Sequence, residues 1–393
     1  MRKSWEREKL GNVIKFVGGG TPSKSVAEYW DGNVPWASVK DFKSEILYST
    51  QDRITELGVK KSSTNIAEKG ELLLVTRMSP GVTAITDIRT AINQDIKIVR
   101  PISKISVRYL HYYFKSIKGK IDNLSSGSTV KGISVEKLND LYIRFPNFDE
   151  QEMIADILDK AQLLVGKRKE AIVKLDELIQ SVFLDMFGDP IRNSLNWDKF
   201  KLSEIGTLAR GKSKHRPRNA PELLNGKYPL IQTGDVAKAD LYIREYEQTY
   251  SELGLQQSKM WEKGTLCITI AANIAKTGIL TFDSCFPDSV VGFIPSEKSN
   301  INYLQIWFLF LQKIIEDAAP ESAQKNINLK ILGDLDVVLP PIELQNKFSI
   351  IVNKIDREKQ MMKQSLSQLE GHFQSLLQQV FKEELRVNTE ITA

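Results

Sequence analysis

Apolar residues step through two stretches of this chain at alternating intervals of four and three. Ile154, Leu158, Ala161, Val165, Arg168, Ile172, Leu175, Ile179, Val182 and Met186 form the first series. Phe348, Val352, Ile355, Lys359, Met362, Leu366, Leu369, Phe373, Leu376 and Val380 form the second. A sustained heptad of this kind predicts a long helix with an apolar seam, packed on another helix as in a coiled coil. Arg168 and Lys359 interrupt the seams, one per helix, and a polar seam residue fixes register at some cost in stability. Asp149 and Glu152 have the N-cap-to-N3 spacing of a capping box, and Gly188-Asp189-Pro190 stops the first helix. From Gln151 to Phe187 the rod is ~55 Å long.

The second series is the first displaced by 194 residues, and so is much else. Pro35 and Asp41 recur as Pro229 and Asp235; Glu68, Lys69 and Gly70 recur as Glu262, Lys263 and Gly264. Ahead of each helix, ISVEKLNDLYIRFPNFDEQE (133–152) echoes INLKILGDLDVVLPPIELQN (327–346). A half-chain of this size is far longer than a solenoid repeat, so the pattern predicts one molecule with two similar modules. Short apolar runs with Gly and Pro punctuation predict strands at 70–77, 95–101 and 140–146, and at 264–270, 290–295 and 334–340. Helices are predicted at 105–114 and 302–310, their aromatic residues being core positions. The boundaries that follow are 1–145 and 191–338 for mixed modules, 146–190 and 339–386 for helical segments, and 387–393 for a loose tail. A pseudo-twofold axis would make the two helices antiparallel and send the modules to opposite ends as a dumbbell, because 188–197 is too short to return along such a rod.

Composition adds a bias toward an anionic partner. Residues 1–145 carry 24 Lys+Arg against 15 Asp+Glu, a balance of +9 in a chain of net charge +5. The second module is neutral in sum but gathers Lys212, Lys214, His215, Arg216 and Arg218 in one Gly/Pro-bounded segment. The longest apolar run, 303–315, is broken by Gln305 and Gln312 and is too short for a membrane span. No apolar h-region follows the start, which predicts a cytoplasmic protein. Cys267 and Cys285 read as buried thiols rather than as a disulfide or metal pair.

Duplex DNA has local dyad symmetry, so two diverged readers on a stiff spacer suit two different half-sites at a fixed separation. The segments GGGTPSKSVAEYWDGNVPWASVKDF (18–42), EKGELLLVTR, GSTVKGISVEKLNDLYIRFPNFDEQEMIADIL (127–158) and KNINLKILGDLDVVLPPIELQNKF (325–348) resemble the specificity subunit of type I restriction-modification enzymes. The resemblance runs over essentially the whole chain. It implies an α+β fold, with two pseudo-repeated mixed target-recognition domains joined by two long helices forming an antiparallel coiled coil. It also implies a non-catalytic reader of double-stranded DNA that binds two adenine-N6 methyltransferase subunits and recruits two restriction subunits. No cofactor is expected in this chain; S-adenosylmethionine, ATP and magnesium would belong to those partners. The second module departs from the pattern, with GKSKHRPRN in place of GGGTPSKS and Leu230 in place of the Trp36 equivalent.

Candidate DNA contacts follow from chemistry and position. In the first module they are Thr21, Lys24, Lys40, Arg77, Asn93, Gln94 and Lys131. In the second they are Lys212, Lys214, Arg216, Arg218, Thr233, Lys238, Asn273, Lys276 and Lys325. Asn and Gln pair bidentately with adenine and Arg with guanine, whereas Lys more often meets phosphate. Trp36 and Gly18–Gly20 are expected to shape their loop rather than read bases. Two other readings compete. Gly206–Ser213 satisfies the P-loop pattern, although Pro217 and Pro221 follow where a helix is required. A coiled-coil scaffold without DNA binding would explain the heptads but not the basic module. His111, His215 and His372 lack metal-ligand spacing, and no methyltransferase signature is present.

Overall fold

The computed structural model describes residues 5–127, 129–271, 275–318 and 328–382. The tail at 387–393 lies outside them. Contacts divide the chain into two units, Met1–Lys169 with Gln364–Ala393 and Glu170–Lys363, so each long helix contributes to both.

The first unit is organised on a five-stranded sheet in the order Ile14–Gly18, Ile96–Pro101, Leu72–Val75, Thr83–Thr86, Ile46–Leu47. All neighbours are antiparallel except the last pair. The run Leu72–Val75 is wholly buried because both faces of the sheet are covered. Leu72 and Leu74 face a cluster with Tyr109, Leu110 and Phe114 of helix Val107–Ser116. Leu73 and Val75 face Ala37, Ala67, Ile92 and Ile98 on the other side. A four-stranded sheet in the order Asp52–Ile54, Trp30–Ala37, Thr90–Ile92, Asn65–Ala67 stands beside it, and Glu6–Lys9 pairs with Tyr142–Phe145.

The second unit repeats this strand order element by element. Its five-stranded sheet runs Gly206–Arg210, Val290–Pro295, Leu266–Thr269, Thr277–Leu280, Tyr242–Ile243. The four-stranded sheet runs Gln248–Tyr250, Leu224–Leu230, Ser284–Cys285, Met260–Trp261, and Lys199–Lys201 pairs with Asp336–Val338. The architecture is therefore α+β with two repeated domains. Tyr109, Tyr303, Trp307 and Phe308 are core residues, and both cysteines are buried free thiols.

The long helices are Phe148–Phe187 and Ile342–Phe381. Each unit holds a segment of both, packed antiparallel. In the first unit Ile154, Ala155 and Leu158 share a core with Phe373, Leu377 and Val380, and Lys169 pairs with Glu370 at 2.8 Å. In the second unit Phe183 and Phe187 flank Phe348, and Lys359 holds Asp176.

Two expectations are corrected, and the competing P-loop reading lacks the context it needs. The first helix is capped by Asn147, whose Oδ1 accepts from the Glu150 amide at 3.0 Å; Asp149 lies inside the first turn and Glu152 pairs with Arg108. The buried seam also departs from the strict heptad toward the helix ends, where Phe183, Phe187 and Leu377 are buried and Val182, Met186 and Leu376 are only partly so. A straight helix has 3.6 residues per turn, so a 3.5-residue repeat drifts off the contact line wherever a domain, rather than only the partner helix, supplies the packing surface. The P-loop pattern, finally, folds otherwise. Gly206–Arg210 is a strand, a Cβ on Gly206 would meet the Phe293 ring at 2.2 Å, and residues 211–220 carry no helix.

Candidate nucleic-acid interface

In the first unit, three central strands deliver their ends to one place. Lys97 is paired with Gly18 and Ile96 with Val75, so the residues just beyond Gly18, just before Ile96 and just after Val75 must converge. The Gly-rich loop is pressed on the turn that precedes Ile96. A Cβ on Gly19 would lie 2.0 Å from the Asn93 carbonyl oxygen, so only glycine permits the approach. The Gly20 amide donates to Ile92 O at 2.9 Å, Trp36 Nε1 donates to Gly20 O at 3.1 Å, and Asn65 Nδ2 donates to Gly18 O at 2.8 Å. Trp36 and the glycines thus shape this loop.

That arrangement brings Thr21 against Gln94, hydroxyl to side-chain carbonyl. Arg77 lies beside them, its guanidinium 3.2 Å from Asp95 Oδ1. Lys131 is exposed, and its carbonyl accepts from the Met78 amide at 2.9 Å, which ties the 129–133 segment to the tip after Val75. Asn93 is buried, and its Oδ1 accepts from the Asp95 amide at 3.0 Å, so it braces the turn. Lys24 and Lys40 are exposed on the segments that follow Thr21 and strand Trp30–Ala37. Lys97 joins the cluster although the sequence reading passed over it, its ammonium donating to Gln94 O at 3.2 Å. Burial lowers the pKa of Lys97, with Asp95 opposing the shift. The strand register, which the sequence does not spell out, sets Lys97 opposite Gly18, and the glycine leaves the space that the Lys97 ammonium fills.

In the second unit the same loop meets the same turn with different side chains. Gly211 lies against Phe286 O and Pro287 O, and the amides of Gly211 and Lys212 donate to Val290 O and Phe286 O. Gln257 Oε1 accepts from the Lys214 and His215 amides at 2.7 and 3.1 Å. Arg218 pairs with Asp288 at 2.6 Å; Asp288 is the residue 194 after Gln94. Arg216 lies 3.8 Å from the same carboxylate and donates to the Ser213 and His215 carbonyls, so it braces its own loop. Lys212 and Lys214 are exposed. Thr233 opens the helix Thr233–Lys238, and Lys238 pairs with Glu247 at 2.7 Å. Lys276 is half-buried, its amide donating to Thr269 Oγ1 at 3.1 Å. Asn273 and Lys325 lie outside the described residues.

The first unit therefore presents exposed Lys, Arg and Gln side chains around a loop-and-turn seam at one sheet end, and the second presents exposed Lys and Arg side chains around the corresponding seam. Such a rim can approach phosphate through its lysines and bases through Arg and Gln. Among the described residues, no helix is long and apolar enough to cross a membrane.

Residues 2–173 and 194–371 each match the type I restriction modification DNA specificity domain, and the chain belongs to that family. It is 25% identical over 392 residues to the MjaIX specificity subunit of Methanocaldococcus jannaschii, covering 92% of this chain and 90% of that protein. A type I restriction enzyme specificity subunit of Escherichia coli is 34% identical over 187 residues, 45% of this chain and 46% of the relative. The fold is also that of the S subunit of a type I restriction-modification system from M. genitalium, with a TM-score of 0.56, 18% identity, and coverage of 98% of this chain and 97% of that one.

Proposed function

We propose that this chain is the DNA-reading subunit of a type I restriction-modification complex and that each repeated domain reads one half of a bipartite duplex target. The observation that supports this most directly is the repeated seam. Both units place the same loop on the same turn, but with Thr21, Gln94 and Arg77 in one and Arg218, Asp288 and Ala271 in the other. One frame with two side-chain sets suits two half-sites of different sequence. The long helices then set the spacer.

In this reading the chain works in the cytoplasm and performs no chemistry of its own. Two methyltransferase subunits transfer methyl groups to adenine N6, and two restriction subunits act on unmethylated DNA. S-adenosylmethionine, ATP and magnesium are assigned to those partners. Sequencing methylated adenines in cells that carry this chain with its methyltransferase partner tests the reading. A bipartite motif with a fixed gap, absent when this chain is deleted, is the expected result; methylation unaffected by the deletion would sink it.

A further inference from the structure

The hairpin that carries Arg77 has a feature that DNA binding by polar groups leaves unused. Met78 has φ +67 and lies in the left-handed region. Four of the other non-glycine residues with positive φ are Asp31, Asn193, Asn196 and Asn225, whose short polar side chains tolerate that conformation. Met78 has no such excuse, and the residue is 60% exposed. The backbone is held there from both sides. Its amide donates to Lys131 O at 2.9 Å, the Ser79 amide donates to Arg77 O at 2.8 Å, and Ile133 donates to Thr76 O at 2.9 Å. Strain maintained by surrounding hydrogen bonds, at a residue whose side chain contributes little to the core, marks a position where the direction of the side chain matters. The tip is a left-handed feature of both units: Ala275, with φ +62, stands 194 residues after Gly81, with φ +87.

From this placement we infer that Met78 is a specificity-determining residue of the first domain, its thioether making apolar contact with a base of the first half-site. The inference rests on the reading of that domain as a DNA reader. Arg77 precedes Met78, the Lys131 carbonyl holds its amide, and Gln94 and Thr21 lie on the adjoining seam, a set of donors suited to base edges and phosphate in which the Thr21 methyl is the one small apolar group. Met78 adds the long, exposed apolar side chain that this set otherwise lacks. An unbranched, polarizable side chain suits a thymine 5-methyl group or the faces of a parted base step alike.

The test uses the full chain assembled with its methyltransferase partner and measures duplex binding. Met78→Gly and Met78→Asn both suit a left-handed backbone and remove the apolar end, so the thermal midpoint stays level or rises. Both variants lose about tenfold in affinity for the parental bipartite duplex, with no change on unrelated duplex, whereas Met78→Leu stays within about twofold. Two arms separate the apolar sources. Deoxyuridine replacing single thymines weakens wild type but not Met78→Gly at one position if the contact is a methyl group. Enhanced 2-aminopurine fluorescence on binding of wild type alone marks insertion into a step. Parental affinity in both Met78→Gly and Met78→Asn overturns the inference, as does equal weakening on parental and unrelated duplex. If wild type shows no sequence preference, the underlying reading falls and this inference falls with it.

Discussion

At the scale of single residues, the first unit depends on one carboxylate that is remote from the candidate interface. Glu45 accepts from His111 Nε2 at 2.8 Å and from Lys115 Nζ at 2.5 Å, while His111 Nδ1 meets the Thr83 hydroxyl at 3.0 Å. Burial opposes ionisation of Glu45, but the His111 hydrogen bond and the Lys115 charge outweigh it and bring its pKa to about 2. A depressed carboxylate stabilises the fold above its unfolded pKa and ceases to do so as pH falls through the folded value. Its contribution is therefore complete above about pH 5 and lost between the ordinary 4.5 and about 2. Because the Glu45 side chain is 36% exposed, screening cuts the stabilisation to about 1–2 kcal/mol. Glu45→Gln should lower stability at pH 7 by that amount and flatten the acid limb of a pH–denaturation series; an unchanged limb would show that another carboxylate governs it.

The basic loop of the second unit makes a sharper distinction than its charge alone suggests. Arg216 and Arg218 are equivalent as cations in the sequence, yet Arg216 is tied to two carbonyls of its own loop while Arg218, among the described residues, reaches only Asp288. Arg218→Ala should reduce the salt slope of DNA binding by about one and leave the melting temperature level. Arg216→Ala should reduce the slope similarly and also lower the melting temperature, since the loop loses its brace. Equal thermal effects from the two substitutions would contradict this division. Sequence alone could not draw it, because which cation finds a carbonyl depends on how the chain turns between Ser213 and Arg218. For the same reason Asn93 was read as an adenine contact although the fold spends it on the Asp95 amide.

At the scale of elements, the repeat and the heptads made the strands and long helices legible in advance. The departures are physical. Asn147 takes the cap that Asp149 appeared to hold, because the chain is already helical at Phe148. The seam residue Lys359 shows what a polar interruption can do. Its side chain is 4% exposed, and its ammonium lies 2.5 Å from Asp176 of the first helix and 3.5 Å from Asp240 of the mixed domain. Burial resists ionisation of Asp240, yet the Lys363 hydrogen bond and the Lys359 charge hold its pKa below the usual range. One cation thus ties both helical segments of the second unit to its domain, while Val165, 194 residues earlier, is plainly apolar. Lys359→Met should cost about 1–3 kcal/mol, less than a fully buried pair because both carboxylates keep some water. Combining it with Asp176→Leu should recover much of that loss in a double-mutant cycle, and additive losses would show that the pair is not coupled.

At the scale of the whole molecule, one architecture is present twice with different side chains at the rim. Each unit has its own sheets and its own core, with clusters around Leu72 and Tyr109 in one and around Leu266 and Tyr303 in the other. A domain with its own core can be exchanged if the chain is cut where few contacts cross. Suitable cuts lie in the 188–197 connection and near Pro340, since the first helix ends at Phe187 and the second begins at Ile342. Replacing the chain between those points with the matching segment of a related specificity subunit keeps both long helices, and with them the proposed spacer. The donor segment must bring a carboxylate to the position of Asp240, or Lys359 is left with Asp176 alone. Methylome sequencing of such a hybrid should report one parental half-site, one donor half-site and the parental gap. Simultaneous change of both halves would show that the two domains read the target jointly. Parental methylation from a correctly folded hybrid would place recognition outside the exchanged domain and remove the one-domain, one-half-site assignment.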